Sequence, residues 1–285
     1  MSFIYGFIVR FISKLSPELY FTIAYFHHRK KLPNFKVPKD LSELWIKRII
    51  NKTNNRYYKL ADKYSVREYV SNKGYSNILP RLIKYYIKGE QFSLSELPNR
   101  FALKAVWGAG MNIICTDKSK LDEKVVQDTI NKWLNSPACS YSERHYNLID
   151  RKVICEEFID DGTGGFPIDY KFICIKGEVL SILVCNGRES GKTDYIPYDV
   201  NWNPQFDYCI SSHVESELFP APKNLESMIK IAKKLAEDVD LVRVDLYSNG
   251  NKIWFGEMTL SPDGGIFRRW TQKAIDEMGL YYRTH

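Results

Sequence analysis

Several common sequence signatures are missing from this chain of 285 residues. Its six cysteines form no C-x-x-C motif, and no His-x-x-x-His pair accompanies them. The sequence therefore disfavours a zinc site and a disulfide framework. Cys155, Cys174 and Cys185 fall in apolar, strand-like runs, where buried free thiols in a reducing compartment are expected.

The chain also lacks internal repeats, low-complexity tracts and any dense basic patch with interleaved aromatic residues. A role in nucleic-acid binding is therefore poorly supported. The net charge of +7 is compatible with an anionic partner, such as a nucleotide, an acidic glycan or an acidic lipid, and equally with ordinary solubility. With 44% hydrophobic and 26% charged residues, the composition is that of a globular protein with one large domain or two to three subdomains.

The N-terminal stretch has no features of a membrane span or a cleaved signal. Apolar residues recur at helical spacing from Phe3 to Leu15, but Arg10 interrupts them too early for a span. A charged leading segment and a small-residue cleavage site are missing, so we expect no signal peptide. Two alternatives remain: a helix docked on the body of the protein, or an amphipathic helix lying on a membrane surface.

What is present is a mixture of helix and strand patterns without a regular βαβ alternation. Helical patterns dominate residues 39–90, begin again near Asp122 and after Pro222, and close the chain. Strand patterns occupy RFALKAV, KVICEEFID, the hairpin DYKFICIKGEVLSILVCNGR and the stretch LVRVDLYSNGNKIWFGEMTL. We therefore predict an α+β fold with mainly antiparallel sheets.

Two acids and an arginine lie in the apolar strands of that last stretch. Strand alternation places Arg243 and Asp245 on one face, and gives Glu257 the face of Phe255 and Thr259. A two-residue turn would put Glu257 on the face opposite Asp245, whereas a five-residue loop or a bulge would make the two acids diagonal neighbours. Such a pair can share a hard cation, or can be two solvated acids on the wet face of a sheet.

A glycine-rich loop follows the strand that carries Lys104. Gly108 and Gly110 let backbone N–H groups approach phosphate oxygens, and Lys104 and Lys63 are candidate point charges beside them. No Gly-Lys-Ser/Thr follows, so the loop is not a Walker A motif. A plain turn between solvated charges is the alternative.

Polar residues also mark the ends of neighbouring strands. Glu156 and Glu157 end an apolar strand, where carboxylates can accept hydrogen bonds from ribose hydroxyls; a simple loop entrance is the alternative. Lys171 lies inside the next strand, and Arg188 ends its hairpin partner. A lysine buried in a strand needs an anion or an acid beside it.

In their order along the chain, these segments resemble the TupA-like ATP-grasp family, named for a teichuronopeptide biosynthesis protein. The segments are DKYSVREYV, LKAVWGAGMN, ICEEFI, DYKFICIKGE, and RVDLY followed by FGEMTLSPDGG. The resemblance extends from about Lys39 to Trp270. It implies a fold that holds ATP between two α+β subdomains, and a ligase that joins a carboxylate to an amine through an acyl phosphate.

The resemblance also implies a division of the chain and a set of roles. The division is an N-terminal amphipathic segment (1–38), a mostly helical subdomain (39–98), a lid subdomain (99–160) and a catalytic subdomain (161–285). The implied ATP-binding residues are Lys63, Lys104, Gly108, Gly110, Glu156, Glu157 and Phe158. The implied catalytic cations are Lys171, Arg188 and Arg243. The implied Mg²⁺ ligands are Asp245, Glu257 and Thr259. The implied substrate-binding residues are Arg268, Gly264 and Gly265.

Some positions depart from the family's patterns. Trp107 and Ala109 stand where the family's loop has His and Ser, Thr259 stands where many ATP-grasp enzymes have Asn, and Asp263 varies a Pro-Gly-Gly type of loop. The family context implies a cytoplasmic enzyme of surface polysaccharide assembly, such as capsule or O-antigen, that joins an amino acid or amine to a uronic acid. The basic amphipathic N-terminus would fit peripheral contact of such an enzyme with the inner membrane. A sugar or polyol kinase, and a non-catalytic assembly protein that retains the fold, are the alternatives.

Overall fold

A computed structural model of the chain describes residues 16–160, 167–186, 194–210 and 218–285. Two antiparallel sheets form its framework. The first sheet has the order β1-β4-β2-β3, and its strands are β1 (Leu82–Tyr86), β2 (Phe101–Ala105), β3 (Asn112–Cys115) and β4 (Val153–Glu157). All the pairings in this sheet are antiparallel.

The second sheet has five strands in the order β7-β6-β5-β8-β9. They are β5 (Asp169–Ile175), β6 (Glu178–Asn186), β7 (Asp194–Tyr198), β8 (Leu241–Ser248) and β9 (Ile253–Thr259). The central strand β5 is buried along its whole length, and every pairing is again antiparallel. The predicted α+β fold with antiparallel sheets is confirmed, as is the predicted turn at Lys176 and Gly177.

The helices pack against these sheets and against each other. They are α1 (Pro17–Arg29), α2 (Leu41–Ile50), α3 (Tyr58–Ala61), α4 (Val66–Asn72), α5 (Glu123–Leu134), α6 (Leu225–Ala236) and α7 (Gln272–Thr284). Helix α5 begins where the sequence predicts, because the Asp122 carboxylate accepts hydrogen bonds from the backbone N–H groups of Lys124 and Val125.

The second sheet separates two apolar cores. On one side, Val242 and Val244 of β8 join a large core that includes α6 and the first sheet. On the other side, Ile173 and Leu241 pack against α2 and α7. The strands β5 and β8 thus have apolar contacts on both faces, and polar residues of β5, β8 and β9 line a cleft.

Helix α1 is docked on the loop that follows β9. The Arg29 guanidinium donates hydrogen bonds to the carbonyl oxygens of Ile266, Phe267 and Trp270, at 3.0, 2.6 and 2.7 Å. The amphipathic stretch predicted for residues 3–15 lies outside the described residues. Within the described part of the chain, none of the helices is both long and apolar enough to cross a membrane.

The predicted helical subdomain also supplies a strand. Residues 39–98 are mostly helical, yet β1 within them pairs with β4 as an edge of the first sheet. Its sequence, LIKYY, is short and its exposure is mixed, which leaves no clear alternation for a sequence-based assignment. The subdomain boundaries at 38, 98 and 160 remain predictions.

Candidate active site

The two sheets enclose a cleft of about 590 Å³. Lys104 and the loop 108–110 line it from the first sheet, and polar residues of β5, β8 and β9 line it from the second. A smaller cleft of about 260 Å³ continues from it and shares Lys104, Asn112 and Tyr247 with it. The walls of the smaller cleft are mainly apolar and include Phe158.

The glycine-rich loop has the backbone that its sequence requires. Gly108 and Gly110 have φ of 68° and 76°, in the left-handed region that favours glycine. The Lys63 ammonium group donates a hydrogen bond of 3.2 Å to the carbonyl oxygen of Gly108. Trp107 is buried beneath the Arg151 guanidinium, so it supports the loop from the core side, whereas Ala109 lines the cleft.

Asp245 and Glu257 lie directly opposite each other on β8 and β9. The pairing begins with Ser248 opposite Ile253, beyond a four-residue connection, and a bulge at Gly256 then shifts it by one residue. Of the alternatives that the sequence left open, the bulge is present, and the two-residue turn and the five-residue loop are not. The expected diagonal arrangement of the two acids is wrong, because they lie directly opposite each other. The bulge also reverses the alternation, so that Phe255 is buried with Leu246 and does not share the face of Glu257.

Gly256 makes this register possible. A Cβ atom at this position would lie 2.9 Å from the carbonyl oxygen of Asp245 and 2.9 Å from the ring of Tyr247. Both distances are shorter than van der Waals contact, so a side chain here would push β9 away from β8. The close approach of the two strands depends on this glycine.

Asp245 is buried among cations. Its carboxylate accepts a hydrogen bond of 2.5 Å from Lys171 Nζ and two of 2.7 Å from Nε and an NH2 group of Arg243. Lys171 also contacts Asp169 at 2.7 Å. Asp169 was missed by the sequence reasoning, although its place two residues before Lys171 in a strand puts both on one face.

Glu257 continues the same network. Its carboxylate lies 3.1 Å from an NH2 group of Arg243 and 3.3 Å from the Lys63 ammonium group, which reaches across from the segment after α3. The Thr259 hydroxyl donates to Glu257 at 3.1 Å and accepts from Arg243 at 2.9 Å. We call the set Lys63, Asp169, Lys171, Arg243, Asp245, Glu257 and Thr259 the ionic cluster.

The ionic cluster keeps its charges because its members stabilise one another. Burial opposes ionisation of Glu257, but Lys63 and Arg243 hold the pKa of its carboxyl well below the usual range. Burial likewise opposes the charge of Lys171, but Asp169 and Asp245 raise the pKa of its ammonium group. Three cations thus balance three carboxylates, and the cluster can exchange partners with an entering polyanion.

The chemistry of the ionic cluster fits a Mg²⁺ ion that arrives with phosphates. Carboxylate oxygens are the ligands that Mg²⁺ prefers, and one or two of them usually suffice beside substrate phosphates. One NH2 group of Arg243 bridges Asp245 and Glu257 and also donates a hydrogen bond to Thr259. No ready-made group of three or more His, Cys, Asp or Glu ligands exists among the described residues. Metal ligation by Asp245, Glu257 and Thr259 stays a prediction.

Glu156 and Glu157 have different surroundings. The Glu156 carboxylate is bound by Lys104 Nζ at 2.9 Å and by an NH1 group of Arg67 at 2.7 Å, and it lines neither of these two clefts. Glu157 and Phe158 line the smaller cleft, where the guanidinium of Arg100 covers the Phe158 ring. Glu157 and Phe158 can therefore contact a nucleotide in the cleft directly. Glu156 can affect a nucleotide only through its contact with Lys104.

The residues predicted to bind substrate are divided by the structure. Gly264 and Arg268 line a third cleft of about 330 Å³, whereas Gly265 packs against Ile46 and Ile49 of α2. Asp263, Gly264 and Gly265 have φ of 48°, 64° and 86°, which explains the glycines after Asp263. Arg188 lies outside the described residues.

The sequence matches one family model, and several solved structures are similar to the fold at low sequence identity. A model described as TupA-like ATPgrasp matches residues 42–280.

D-Alanine–D-alanine ligase from Bacillus anthracis is 16% identical with a TM-score of 0.46, over 79% of this chain and 64% of that chain. D-Cycloserine synthetase DcsG is 11% identical with a TM-score of 0.45, over 80% and 71%. L-Amino acid ligase from Bacillus licheniformis is 13% identical with a TM-score of 0.41, over 82% and 47%. This chain thus spans about two-thirds of the first of these proteins and about half of the last. No curated protein matches the sequence.

Proposed function

Because the chain belongs to the TupA-like ATP-grasp family, we propose that it is an ATP-dependent carboxylate–amine ligase. In this reaction a carboxylate oxygen of the substrate takes the γ-phosphoryl group of ATP, and ADP leaves. The amine then attacks the acyl carbon, so that an amide forms and inorganic phosphate and a proton are released. The observation that carries the proposal is the ionic cluster, which faces the cleft between the two sheets.

The two connected clefts suit the two ends of ATP. Ala102, Ile114 and Phe158 give the smaller cleft an apolar lining for the adenine ring. The larger cleft begins at Lys104 and the loop 108–110, where backbone N–H groups and a lysine favour phosphate oxygens. ATP bound in this way would extend its γ-phosphate towards the ionic cluster.

The cations of the ionic cluster would stabilise the phosphoryl group during transfer. Lys171 and Arg243 are fixed on neighbouring strands by Asp245, so they need little rearrangement when negative charge shifts towards them. Lys63 is shared between the glycine loop and Glu257, which places it where the loop meets the sheet. Mg²⁺, held by Asp245 and Glu257 together with the phosphates, would offset further phosphate charge.

For the substrates we propose a sugar carboxylate, such as a uronic acid, and an amino acid or amine, in the assembly of a bacterial surface polysaccharide. The family context and the arginines beside the clefts support this choice. Arg269 lines the main cleft and Arg268 the third cleft, and a guanidinium can bind a carboxylate through two hydrogen bonds. We place the enzyme in the cytoplasm, with peripheral contact to the inner membrane through its N-terminal segment.

The test is ADP formation with Mg²⁺, glucuronate or galacturonate, and a panel of amino acids. ADP release that needs both a carboxylate and an amine, and that disappears in Asp245→Asn, would support the ligase. ADP release with a phosphorylated sugar and no need for an amine would indicate a kinase instead. Failure to bind Mg-ATP in calorimetry would indicate a non-catalytic assembly protein.

A further inference from the structure

The third cleft adjoins the ionic cluster, because Arg243, Glu257 and Thr259 line it. It lies between α1, the 3₁₀ helix Tyr141–Leu148 and the loop after β9. Its lining includes Arg243 and Glu257, which also line the main cleft. A molecule in the third cleft can therefore meet one in the main cleft at these two residues. Its volume of about 330 Å³ is enough for a small metabolite.

Unpaired polar groups point to a ligand in this cleft. Ser261 is 3% exposed, and its hydroxyl has no hydrogen-bond partner among the described residues. The hydroxyl of Tyr146, a buried residue, also lines the cleft and makes no hydrogen bond within the described part of the chain. Buried polar groups in proteins are normally hydrogen-bonded, so these hydroxyls are expected to bind a ligand or ordered water.

Glu143 is the carboxylate in this cleft that forms no ion pair with a described residue, although Lys63 is near enough to act on it electrostatically. Glu257 has Lys63 and Arg243 beside it, and Asp263 has Arg269 at 3.6 Å. In contrast, the Glu143 side chain has neither a hydrogen bond nor an ion pair with any described residue. Its backbone, with φ of −126° and ψ of 26°, interrupts the 3₁₀ helix and gives the side chain its place in the cleft.

The surroundings of Glu143 favour a cation as its partner. Burial raises the pKa of its carboxyl, Lys63 lowers it, and Glu257 raises it again. A second carboxylate beside Glu143 would add like charge in a partly buried place, which is unfavourable. An ammonium group would offset the burial of the Glu143 carboxylate and its repulsion by Glu257, because it supplies a positive charge and three hydrogen-bond donors.

Arg268 supplies the opposite charge at the rim of the same cleft. Its Nε donates a hydrogen bond of 3.2 Å to His28 Nε2, which can accept because burial lowers the pKa of His28 and keeps the ring neutral. This bond fixes the guanidinium but uses one of its donors. Its terminal amino groups have no partner among the described residues, and they can bind a carboxylate.

We propose that the third cleft binds the amine substrate as an α-amino acid, with its ammonium group on Glu143, its carboxylate on Arg268, and polar atoms of its side chain or carboxylate on Tyr146 and Ser261. This inference rests on the ligase function proposed above. It assigns the substrate carboxylate that becomes phosphorylated to the main cleft, beside Lys171 and Arg243. The amino group then approaches the acyl carbon across the boundary formed by Arg243 and Glu257.

The first test is binding, with an equimolar mixture of the proteinogenic L-amino acids as the probe. Saturation-transfer NMR would compare wild type, Glu143→Gln and the matched control Glu226→Gln, whose carboxylate is exposed on α6. We expect one or a few amino acids to bind wild type and Glu226→Gln, and to bind Glu143→Gln about tenfold more weakly or not at all. Absence of binding to wild type, or equal binding to Glu143→Gln, would overturn the proposal.

The second test separates this proposal from the ligase function itself. Hydroxylamine traps an acyl phosphate as a hydroxamate without occupying an amino-acid site. With ATP, Mg²⁺ and a uronic acid, Glu143→Gln should form hydroxamate at a rate within about twofold of wild type, while its KM for the amino acid rises about tenfold. Ser261→Ala, which removes a hydroxyl without a partner, should fold normally and raise the same KM by a smaller factor.

The outcomes are distinct. If wild type forms hydroxamate and both variants keep the wild-type KM for the amino acid, the proposed amine site is wrong and the proposed ligase function is retained. If wild type forms neither ADP nor hydroxamate with any carboxylate tested, both the ligase function and the amine site are wrong. Thermal unfolding of each variant would show that a raised KM is not caused by loss of folded protein.

Discussion

Each sheet holds a buried carboxylate between two cations, but the two sheets expose different groups to the cleft. On the first sheet, Glu156 lies between Lys104 and Arg67, and only Lys104 reaches the cleft. On the second sheet, Asp245 lies between Lys171 and Arg243, and all three line the cleft. A buried carboxylate needs cations beside it. In the first sheet the carboxylate serves only to hold one lysine in place, whereas in the second it is part of a candidate reaction centre.

The difference teaches that ion pairing alone does not identify a reaction centre. Glu156 and Asp245 are both nearly inaccessible and both bound by two cations. What distinguishes Asp245 is that Arg243 links it to a second acid, Glu257, and that the linked group faces a space large enough for a ligand. Changing one sheet at a time would sharpen this comparison.

The largest effect is expected for Asp245→Asn. The change removes the carboxylate that Lys171 and Arg243 share and leaves them Asp169 and Glu257, so the loss of stability should be at most about 3–5 kcal/mol, the cost of a broken buried pair. Because Asp245 would no longer orient the two cations, ADP formation should fall by about 100- to 1000-fold. Urea unfolding and ADP release measure the two effects. Asp128→Asn, at an exposed position of α5, is the control, and near-normal activity of Asp245→Asn would contradict the proposed centre.

The next largest effect is expected for Gly256→Ala. The added methyl group meets the Asp245 carbonyl oxygen and the Tyr247 ring, so the strands must separate or lose the bulge. We expect a loss of about 1–3 kcal/mol in stability from this overpacking. Displacement of Glu257 from Asp245 should reduce ADP formation by about 100-fold. Wild-type kinetics with wild-type stability would show that the register of β8 and β9 tolerates a side chain here.

Smaller effects are expected for Glu156→Gln and Glu157→Gln, which should differ from each other. Glu156→Gln should lower stability by about 1–3 kcal/mol because it weakens charged hydrogen bonds to Arg67 and Lys104. Glu157→Gln should leave stability within about 0.5 kcal/mol, because Glu157 is half-buried at the cleft edge. It should instead raise the KM for ATP by about threefold to tenfold. If Glu156→Gln alone changed ATP binding, with stability intact, Glu156 would contact the nucleotide after all.

The smallest effect at neutral pH concerns His145, which is buried beside Tyr146 in the 3₁₀ helix Tyr141–Leu148. Burial lowers the pKa of His145 to about 4, from 6.5 in the unfolded chain. Between pH 6.5 and 4 the unfolded state therefore binds a proton that the folded state does not bind. The free energy of unfolding falls as the pH drops through this range, by about 3 kcal/mol in all.

Glu257 should keep its charge over this pH range because the pKa of its carboxyl is well below its usual value. Urea unfolding at several pH values would measure the slope. His145→Asn should flatten the part of the slope between pH 6.5 and 4. An unchanged slope in that variant would show that other groups cause the acid sensitivity.

Much of the secondary structure follows from local sequence signals. Asp122 caps α5, the turn at Lys176 and Gly177 joins β5 to β6, and Arg243 shares its face with Asp245, all as predicted. Strand β1 was missed because five residues with mixed exposure have no readable period. The register of β8 and β9 was left open because one bulge residue reverses the face of everything beyond it.

The candidate site was predictable only where its residues lie close in sequence. The alternation of a strand places Arg243, Asp245 and Tyr247 together, and it could have added Asp169 to Lys171. No such rule connects Glu143 with Ser261, or Lys63 with Glu257, since more than a hundred residues separate each pair. Their meeting depends on how the helical segments and the 3₁₀ helix Tyr141–Leu148 cross the edge of the second sheet.

The sequence by itself determined the types of most elements, the antiparallel class of the sheets and the order of the family's motifs, because these depend on local periodicity, turn residues and composition. Only the tertiary structure decided that Glu257 lies opposite Asp245, that Glu156 binds Lys104, and that Glu143 forms no ion pair with a described residue. Each of these depends on a distance between strands or segments that are far apart in the chain, and such distances are set by packing.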